Sequence, residues 1–268
     1  MKQPFILLIT IANITFQFVI YFFSGFIKKN KKRWAFGSWS GKEFRGNTKH
    51  LYNYVKNYHK DIEIFWIAKS KNQHEKLLKN GINSVYAYSF NGFKKISTSS
   101  VIFCTHRAVD IIPCLTKNSI LVWLGHMTFT IKQNSQREFY KKKNYLTRLY
   151  NQCLLLFMLI KKVDYGIYSS ESTEKNLKCF DKSYPKKPLI LGLPKTDYLC
   201  DLRTNNNKDS NSKLKKEILG KSIPENEKVI LFLPTWRDNR KFSIFFFNFS
   251  PDKISNFIKI NKCHFYIN

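Results

Sequence analysis

An α/β protein with a parallel sheet is what the sequence predicts, and two observations predict it. Short apolar runs alternate with stretches of helical spacing through residues 33–200. Several of the runs, such as IEIFWIA at 62–68 and SILVWLG at 119–125, have the continuous apolar character of strands buried in a sheet. Strands alternating with helices give βαβ units, and so a Rossmann-like layer.

The elements follow in order. Residues 4–27 read PFILLITIANITFQFVIYFFSGFI and carry no charge. At 1.5 Å per residue, about 20 residues cross a ~30 Å hydrocarbon core, so the segment is long enough for a membrane anchor. Lys28, Lys29, Lys31, Lys32 and Arg33 follow it, which by the positive-inside rule puts the C-terminal bulk in the cytoplasm. A cleaved signal peptide and a buried or interfacial helix are the rival readings; the first lacks an A-x-A site and a charged n-region. Strands are expected at 33–38, 62–68, 85–88, 101–105, 119–125, 165–170 and 188–192, with helices at 47–58, 73–80 (closed by Gly81), 92–98, 135–161 and 171–180. The helical stretch EFYKKKNYLTRLYNQCLLLFMLIKK at 138–162 has an apolar block too short to span a membrane. Its basic flanks suit either an anionic leaflet or a core helix with a wet end.

A polar break, DLRTNNNKDSNS at 201–212, reads as linker. Residues 214–219 are helical, KVILFL at 228–233 is a strand, and 242–249 is rich in Phe. A helix at 251–260 and a strand at 263–267 end the sequence. The expected organisation is therefore an anchor helix at 1–30, a Rossmann-like domain at 31–200, a linker and helix at 201–227, and the start of a second, incomplete Rossmann-like domain at 228–268. Two strands cannot cover both faces of such a sheet, so the chain reads as a truncated form of a longer two-domain protein.

Composition narrows function only loosely. The 268 residues are 43% hydrophobic and 16% aromatic, which excludes collagen-like and disordered chains. Lys and Arg number 46 against 18 Asp and Glu, a net charge of +28 that draws polyanions. Only 8 of the 46 are Arg, and an AT-rich coding bias that fills the surface with Lys explains the excess equally well. Six cysteines are scattered without a CxxC pair, which suits a reducing cytosol, and the six histidines form no HExxH or HxxxH pair, so no metal ligands are expected.

Four strings stand at strand ends, where parallel α/β sheets bind ligands. The first, FGSWSGK at 36–42, has glycines that let backbone approach a ligand, with Ser38, Ser40 and Lys42 able to contact phosphate. Asn47 follows it, and on the plainer reading is the N-cap of the next helix. The second, GHMTFTIK at 125–132, puts His126 after a strand, where an imidazole can accept a proton, and Lys132 nearby to balance phosphate charge. The third is GLPKTD at 192–197, which on the plainer reading is a tight turn capping a short helix. The fourth is LPTWRD at 233–238, where Arg237 offers a planar donor fork suited to phosphate.

Taken in order, these strings resemble the CDP-glycerol glycerophosphotransferase family of teichoic-acid primases and polymerases and related capsule enzymes. FGSWSGKEFRGNTKHLY resembles its F-x-S-x-x-G-K…N…L-Y motif, and GHMTFTIK its catalytic W-H-G-T-P-L-K region. SSES, GLPKTD and LPTWRD resemble S-S-E, G-x-P-R-x-D and P-T-W-R. Trp123 stands three residues before His126 instead of adjacent to it, Met127 replaces a small residue, and Lys195 replaces Arg.

The resemblance implies a GT-B fold with two Rossmann-like domains around a cleft. It implies phosphoryl transfer from CDP-glycerol to a hydroxyl of a lipid-linked or polymeric acceptor, with CMP leaving and no cofactor. His126 is then the general base, Lys132 and Arg237 stabilise charge, and Ser38, Ser40, Lys42 and Asn47 serve the acceptor side. The family's second catalytic histidine sits in an H-P motif beyond the present sequence, and His264 precedes Phe265 instead. Glycerol and ribitol donors are not separated by the motifs, and a nucleotide-sugar transferase of the same fold or an inactive membrane-bound remnant stand as alternatives. The anionic membrane surface is an expected partner. Nucleic acid is not, since no RRM, zinc-finger or clear helix-turn-helix signature accompanies the charge.

Overall fold

Alternate residues of the predicted strands do face two different cores, as a sheet covered on both sides requires. The computed structural model describes residues 3–106, 110–125, 161–180, 185–204, 216, 220, 222–224, 227–232 and 250–267. The chain divides into two units, Met1–Asp201 and Leu202–Asn268.

The first unit holds seven strands: β1 (Asn30–Phe36), β2 (Glu63–Ala68), β3 (Ser84–Tyr86), β4 (Ser99–Cys104), β5 (Ile120–Trp123), β6 (Tyr165–Tyr168) and β7 (Lys187–Ile190). Their order is β3-β2-β1-β4-β5-β6-β7, and every pairing is parallel. Among the described residues the α-helices around the sheet are α1 (Gln3–Ser24), α2 (Gly46–Tyr58), α3 (Lys71–Lys79), α4 (Phe90–Thr98), α5 (Glu171–Phe180) and α6 (Pro194–Thr204). Phe36, Ile64, Trp66, Ala68 and Phe103 turn to one face, where Tyr52 and Val55 of α2 and Leu77 of α3 cover them. Ala35, Phe65, Ile67, Ile102 and Cys104 turn to the other, under Ile96 of α4 and the 3-10 turn Pro113–Leu115. Both faces are dry, which is why these strands read as unbroken apolar runs.

Helix ends are set by local chemistry. The Ser70 hydroxyl accepts the Gln73 amide at the start of α3, and Ser89 accepts that of Gly92 at the start of α4. A Cβ at Gly92 would sit 2.1 Å from the Tyr86 carbonyl oxygen, so only glycine lets α4 lie this close to the end of β3.

The helix expected at the N-terminus forms, but its setting differs from a free-standing anchor. Phe18, Ile20 and Tyr21 pack on the core beside Pro113–Leu115, and Ser24 is buried. The Asn118 amide donates to the Gly25 carbonyl at 2.6 Å, and the Lys117 ammonium lies 4.9 Å from the centre of the Phe22 ring. Among the described residues no helix is long and apolar enough to cross a membrane. Part of the apolar surface expected to serve an anchor over 1–30 is used within the protein. Phe16, Phe22, Phe23 and Phe26 remain exposed.

Other boundaries moved modestly. β1 begins at Asn30, since its first three residues are exposed and polar and gave no apolar signal. α6 runs to Thr204, into residues read as linker. The expected helix at 135–161 lies almost wholly outside the described residues, as do most of the helix at 214–219 and the Phe-rich stretch.

The second unit contains β8 (Lys228–Phe232), α7 (Pro251–Ile260) and β9 (Cys263–Ile267). β8 and β9 pair in parallel, with Lys228 opposite Cys263 and Phe232 opposite Ile267. The His264 imidazole and the Glu227 carboxylate are hydrogen-bonded.

Asp164 ties together the entries of three strands. Its carboxylate accepts from the Leu121 amide at 2.9 Å, Lys161 Nζ at 3.0 Å and Lys186 Nζ at 2.8 Å. Burial pushes this carboxyl up, but the three donors outweigh it and hold it below the usual carboxylate range. A depressed folded value contributes stability above the unfolded carboxyl pKa, about 3.9, and that contribution is lost as pH falls through the folded value. Asp164→Asn is therefore expected to be less stable than the parent at pH 7. The gap should close on acidification below about pH 4, measured by urea unfolding across pH.

Candidate functional site at the carboxyl edge of the sheet

The order of the strands places a crevice. From β1 the sheet grows one way through β2 and β3, and the other way through β4 to β7. Loops leaving β1 and β4 therefore part at their carboxyl ends, and such a switch point is where doubly wound sheets take ligands.

The loop after β1 is strained and tightly held. Trp39, Ser40 and Gly41 adopt φ of 48°, 59° and 71°, so two residues with side chains sit in the left-handed region. Ser38 is fully buried, and its hydroxyl donates to the Glu43 carbonyl at 2.8 Å. The Gly41 carbonyl accepts from the Lys69 amide at 3.0 Å, which links the loop to the end of β2. A Cβ on Gly37 would stand 2.8 Å from the Asp110 carbonyl oxygen, so glycine is needed where this loop meets the one after β4.

Asp110 is the centre of that meeting. It has no exposed surface. Its carboxylate accepts from the Ser40 amide at 2.7 Å, the Thr105 amide at 2.7 Å, the Thr105 hydroxyl at 2.9 Å and the His106 amide at 2.6 Å. The His106 ring follows, with Nδ1 3.0 Å from Thr105 Oγ1 and 3.7 Å from Asp110 Oδ1. Burial pulls the His106 pKa down, and the Asp110 charge pulls it partly back. Burial also lowers Lys69 to about 8, again opposed by Asp110. Trp39 meets the His106 ring edge-on at 5.3 Å, and the Arg45 guanidinium lies 4.0 Å from the centre of the Trp39 ring.

Asn47, in the first turn of α2, reaches two other loops. Its side-chain amide donates to the Leu124 and Gly125 carbonyls, each at 3.0 Å, and its oxygen accepts from the Lys195 amide at 3.2 Å. His50, one turn on, meets Tyr198 of α6 at 4.6 Å with the rings tilted. Burial and the charges of Lys49 and Lys195 lower the His50 pKa. Beside Gly125 a small cleft opens between Trp123, Tyr168, Ser169, Thr173 and Leu193. The Trp123 indole donates to the Thr105 carbonyl at 2.6 Å, so the ends of β4 and β5 are also joined.

Of the residues expected from the sequence, Ser38, Ser40, Lys42 and Asn47 come to this edge of the sheet. Lys42 is exposed. Ser38 and Asn47 have their side-chain polar atoms bonded within the protein, a scaffold setting instead of the ligand contact the sequence suggested. His126, Lys132 and Arg237 lie outside the described residues. The sequence reading missed Trp39, Lys69, Thr105, His106 and Asp110. The available signal was the polar string THRAVD at 105–110, which follows the apolar strand VIFC as the other site strings follow theirs.

The fold and this edge define a parallel α/β protein of Rossmann type with preformed loops at its switch point. Residues 19–265 match the family described as CDP-Glycerol:Poly(glycerophosphate) glycerophosphotransferase, and the chain belongs to that family. It is similar to a teichoic acid poly(glycerol phosphate) polymerase of Bacillus spizizenii, with 25% identity over 264 residues that cover 97% of this chain and 63% of the relative. A second polymerase of that description, from Bacillus subtilis, is 24% identical over 225 residues, covering 78% of this chain and 27% of the relative. The chain thus spans less than two thirds of the length of either. In fold it is similar to the wall teichoic acid polymerase TagF, with a TM-score of 0.61 and 16% identity over 99% of this chain and 65% of that one.

Removing the Asp110 carboxylate strips the acceptor from three backbone amides and a hydroxyl. Asp110→Ala is expected to cost on the order of 3 kcal/mol, from buried donors left unpaired. Urea unfolding of the two proteins checks this.

Proposed function

We propose that this chain serves CDP-glycerol glycerophosphotransferase chemistry in teichoic-acid synthesis, contributing the acceptor-side domain and part of a nucleotide-binding domain in a GT-B arrangement. Family membership over residues 19–265 is the observation that carries this reading. The GHMTFTIK string begins at Gly125, just past β5, on the same carboxyl edge of the sheet as the crevice. A His-to-Asn variant of TagF has been studied with CDPG soaked in, and that likeness favours a CDP-alcohol as donor here.

In the proposed reaction an acceptor hydroxyl attacks the β-phosphorus of CDP-glycerol. The oxygen–phosphorus bond to the glycerol phosphate forms, the pyrophosphate bridge breaks, and CMP leaves. His126 takes the hydroxyl proton. Charge spreads over the transferring phosphoryl oxygens, where fixed cations and N–H groups act most strongly. Lys132 and Arg237 supply that charge, and Ser40 and Lys42 line the acceptor side. Ser38 and Asn47 support the loops that carry these groups.

The acceptor is a lipid-linked or growing polyol-phosphate chain at the cytoplasmic face of the membrane. The polymerase relatives support membrane-associated action, and the exposed phenylalanines of α1 and the basic run after it offer a peripheral contact. A helix with an apolar face and flanking lysines lies in the interface of an anionic leaflet, held by both burial and charge.

Two experiments test the reading. His126→Ala is expected to lower CMP release from CDP-glycerol roughly a hundredfold to ten-thousandfold, the range for loss of a general base; turnover within threefold of the parent would remove His126 from the reaction. Phe23→Glu with Phe26→Glu leaves the packed face of α1 intact. This variant should lose cosedimentation with phosphatidylglycerol vesicles, while the parent should bind them and release them in high salt.

A further inference from the structure

Asn47 is 2% exposed, so its amide is almost entirely out of water. Such a group is retained only where each polar atom finds a partner. Here both kinds of polar atom do, and all three partners are backbone groups on other loops. Two are the carbonyls of Leu124 and Gly125, consecutive residues that continue β5. The third is the amide of Lys195, in the turn that opens α6. One side chain therefore joins α2 to the carboxyl ends of β5 and β7.

The Gly125 contact matters most. Its carbonyl belongs to the peptide bond leading into His126, and a peptide unit is planar. Fixing that oxygen fixes the plane from which the next residue departs. Gly125 itself has φ of 61°, a conformation glycine adopts freely, and a Cβ there would meet the Trp123 ring at 3.4 Å. The turn is thus built from a permissive residue and held by an amide from another element. Aspartate in place of Asn47 keeps the acceptor for Lys195 but loses both donors. Serine is too short to bridge the loops.

We propose that Asn47 is a positioning residue for the transfer reaction, holding the Gly125 carbonyl at the exit of β5 and the Lys195 turn to one point. The role rests on the reading of His126 as the base. A misplacement of about 1 Å at a reacting group costs on the order of a hundredfold in rate, so a pin of this kind acts on turnover more than on donor binding.

The test compares Asn47→Asp and Asn47→Ser with the parent and with His126→Ala, all in the full chain. Three quantities are read: thermal unfolding, kcat and KM for CDP-glycerol, and the His126 Hε1 NMR signal followed through a pH titration, assigned by its loss in His126→Ala. The expected result is retained cooperative unfolding, kcat down tenfold or more with KM within threefold, and a displaced His126 signal beside an unmoved His74 signal. Unchanged kcat in both variants, with His126→Ala inactive, overturns the positioning role and leaves the catalytic reading standing. If His126→Ala still turns over, the catalytic reading fails and the reaction role of Asn47 falls with it. Where the parent shows no turnover, the NMR signal decides, and an unmoved His126 signal overturns the proposal. Loss of cooperative unfolding in both variants also overturns it, by making Asn47 a folding residue.

Discussion

Strand β1 has hydrogen-bonded neighbours on both edges, β2 on one side and β4 on the other, and the geometry of the first unit depends on that. The chain finishes β2 and β3, then crosses back over β1 to lay down β4. The crevice at the carboxyl edge is a consequence of this crossing before any side chain is considered. It also creates a problem. Loops that diverge from a switch point do not support each other through the sheet ladder, so they need ties of another kind.

Two buried polar side chains provide ties, and their chemistry suits what each faces. Asp110 faces donors only, and an ionised carboxylate is an acceptor only. Asn47 faces two carbonyls and an amide, a mixture that only a primary amide side chain can match at both ends. The strain they oppose is modest. Two left-handed residues with side chains, Trp39 and Ser40, cost about 1–2 kcal/mol each. A hydrogen bond to a charged group contributes about 1.5–3 kcal/mol, so the Ser40 amide on Asp110 offsets its own residue's strain. The remaining Asp110 contacts are then free to hold the loop after β4. A loop arranged in advance in this way spends little ordering entropy when a ligand arrives.

Much of the sheet was legible because its strands are apolar on both faces. IEIFWIA and SILVWLG pointed to β2 and β5 within a residue or two, and α5, α7 and β9 lie where periodicity put them. β1 was read three residues short because its entry is polar and exposed, which hydropathy scores as loop. The site was legible only as strings at strand ends. Ser40 and Lys42 belong to such a string, and local sequence suffices to find it. Asp110 acts across 70 residues on Ser40, and Asn47 across 148 on Lys195. Those partnerships exist only once the strand order is known, and a single sequence does not encode the order in any local pattern.

The same reasoning explains why hydropathy does not tell which side of α1 the protein uses. Mean hydropathy sums over all sides of a helix, while packing depends on which side each residue occupies, at about 100° per residue. Phe18, Ile20, Tyr21 and Ser24 fall on one side and meet the protein. Phe16, Val19, Phe22 and Phe23 fall on the other and remain exposed, as does Phe26 just past the helix end. A helix apolar on every side leaves part of its surface uncovered when the domain packs on one side only. On the proposed membrane reading, this uncovered aromatic face, followed by Lys28, Lys31 and Lys32, meets a boundary between hydrocarbon and anionic headgroups. The packed side then serves a purpose that a free-standing anchor does not. On that reading it fixes the orientation of the sheet to the surface the exposed side meets, and so where the carboxyl edge and its crevice face relative to that surface.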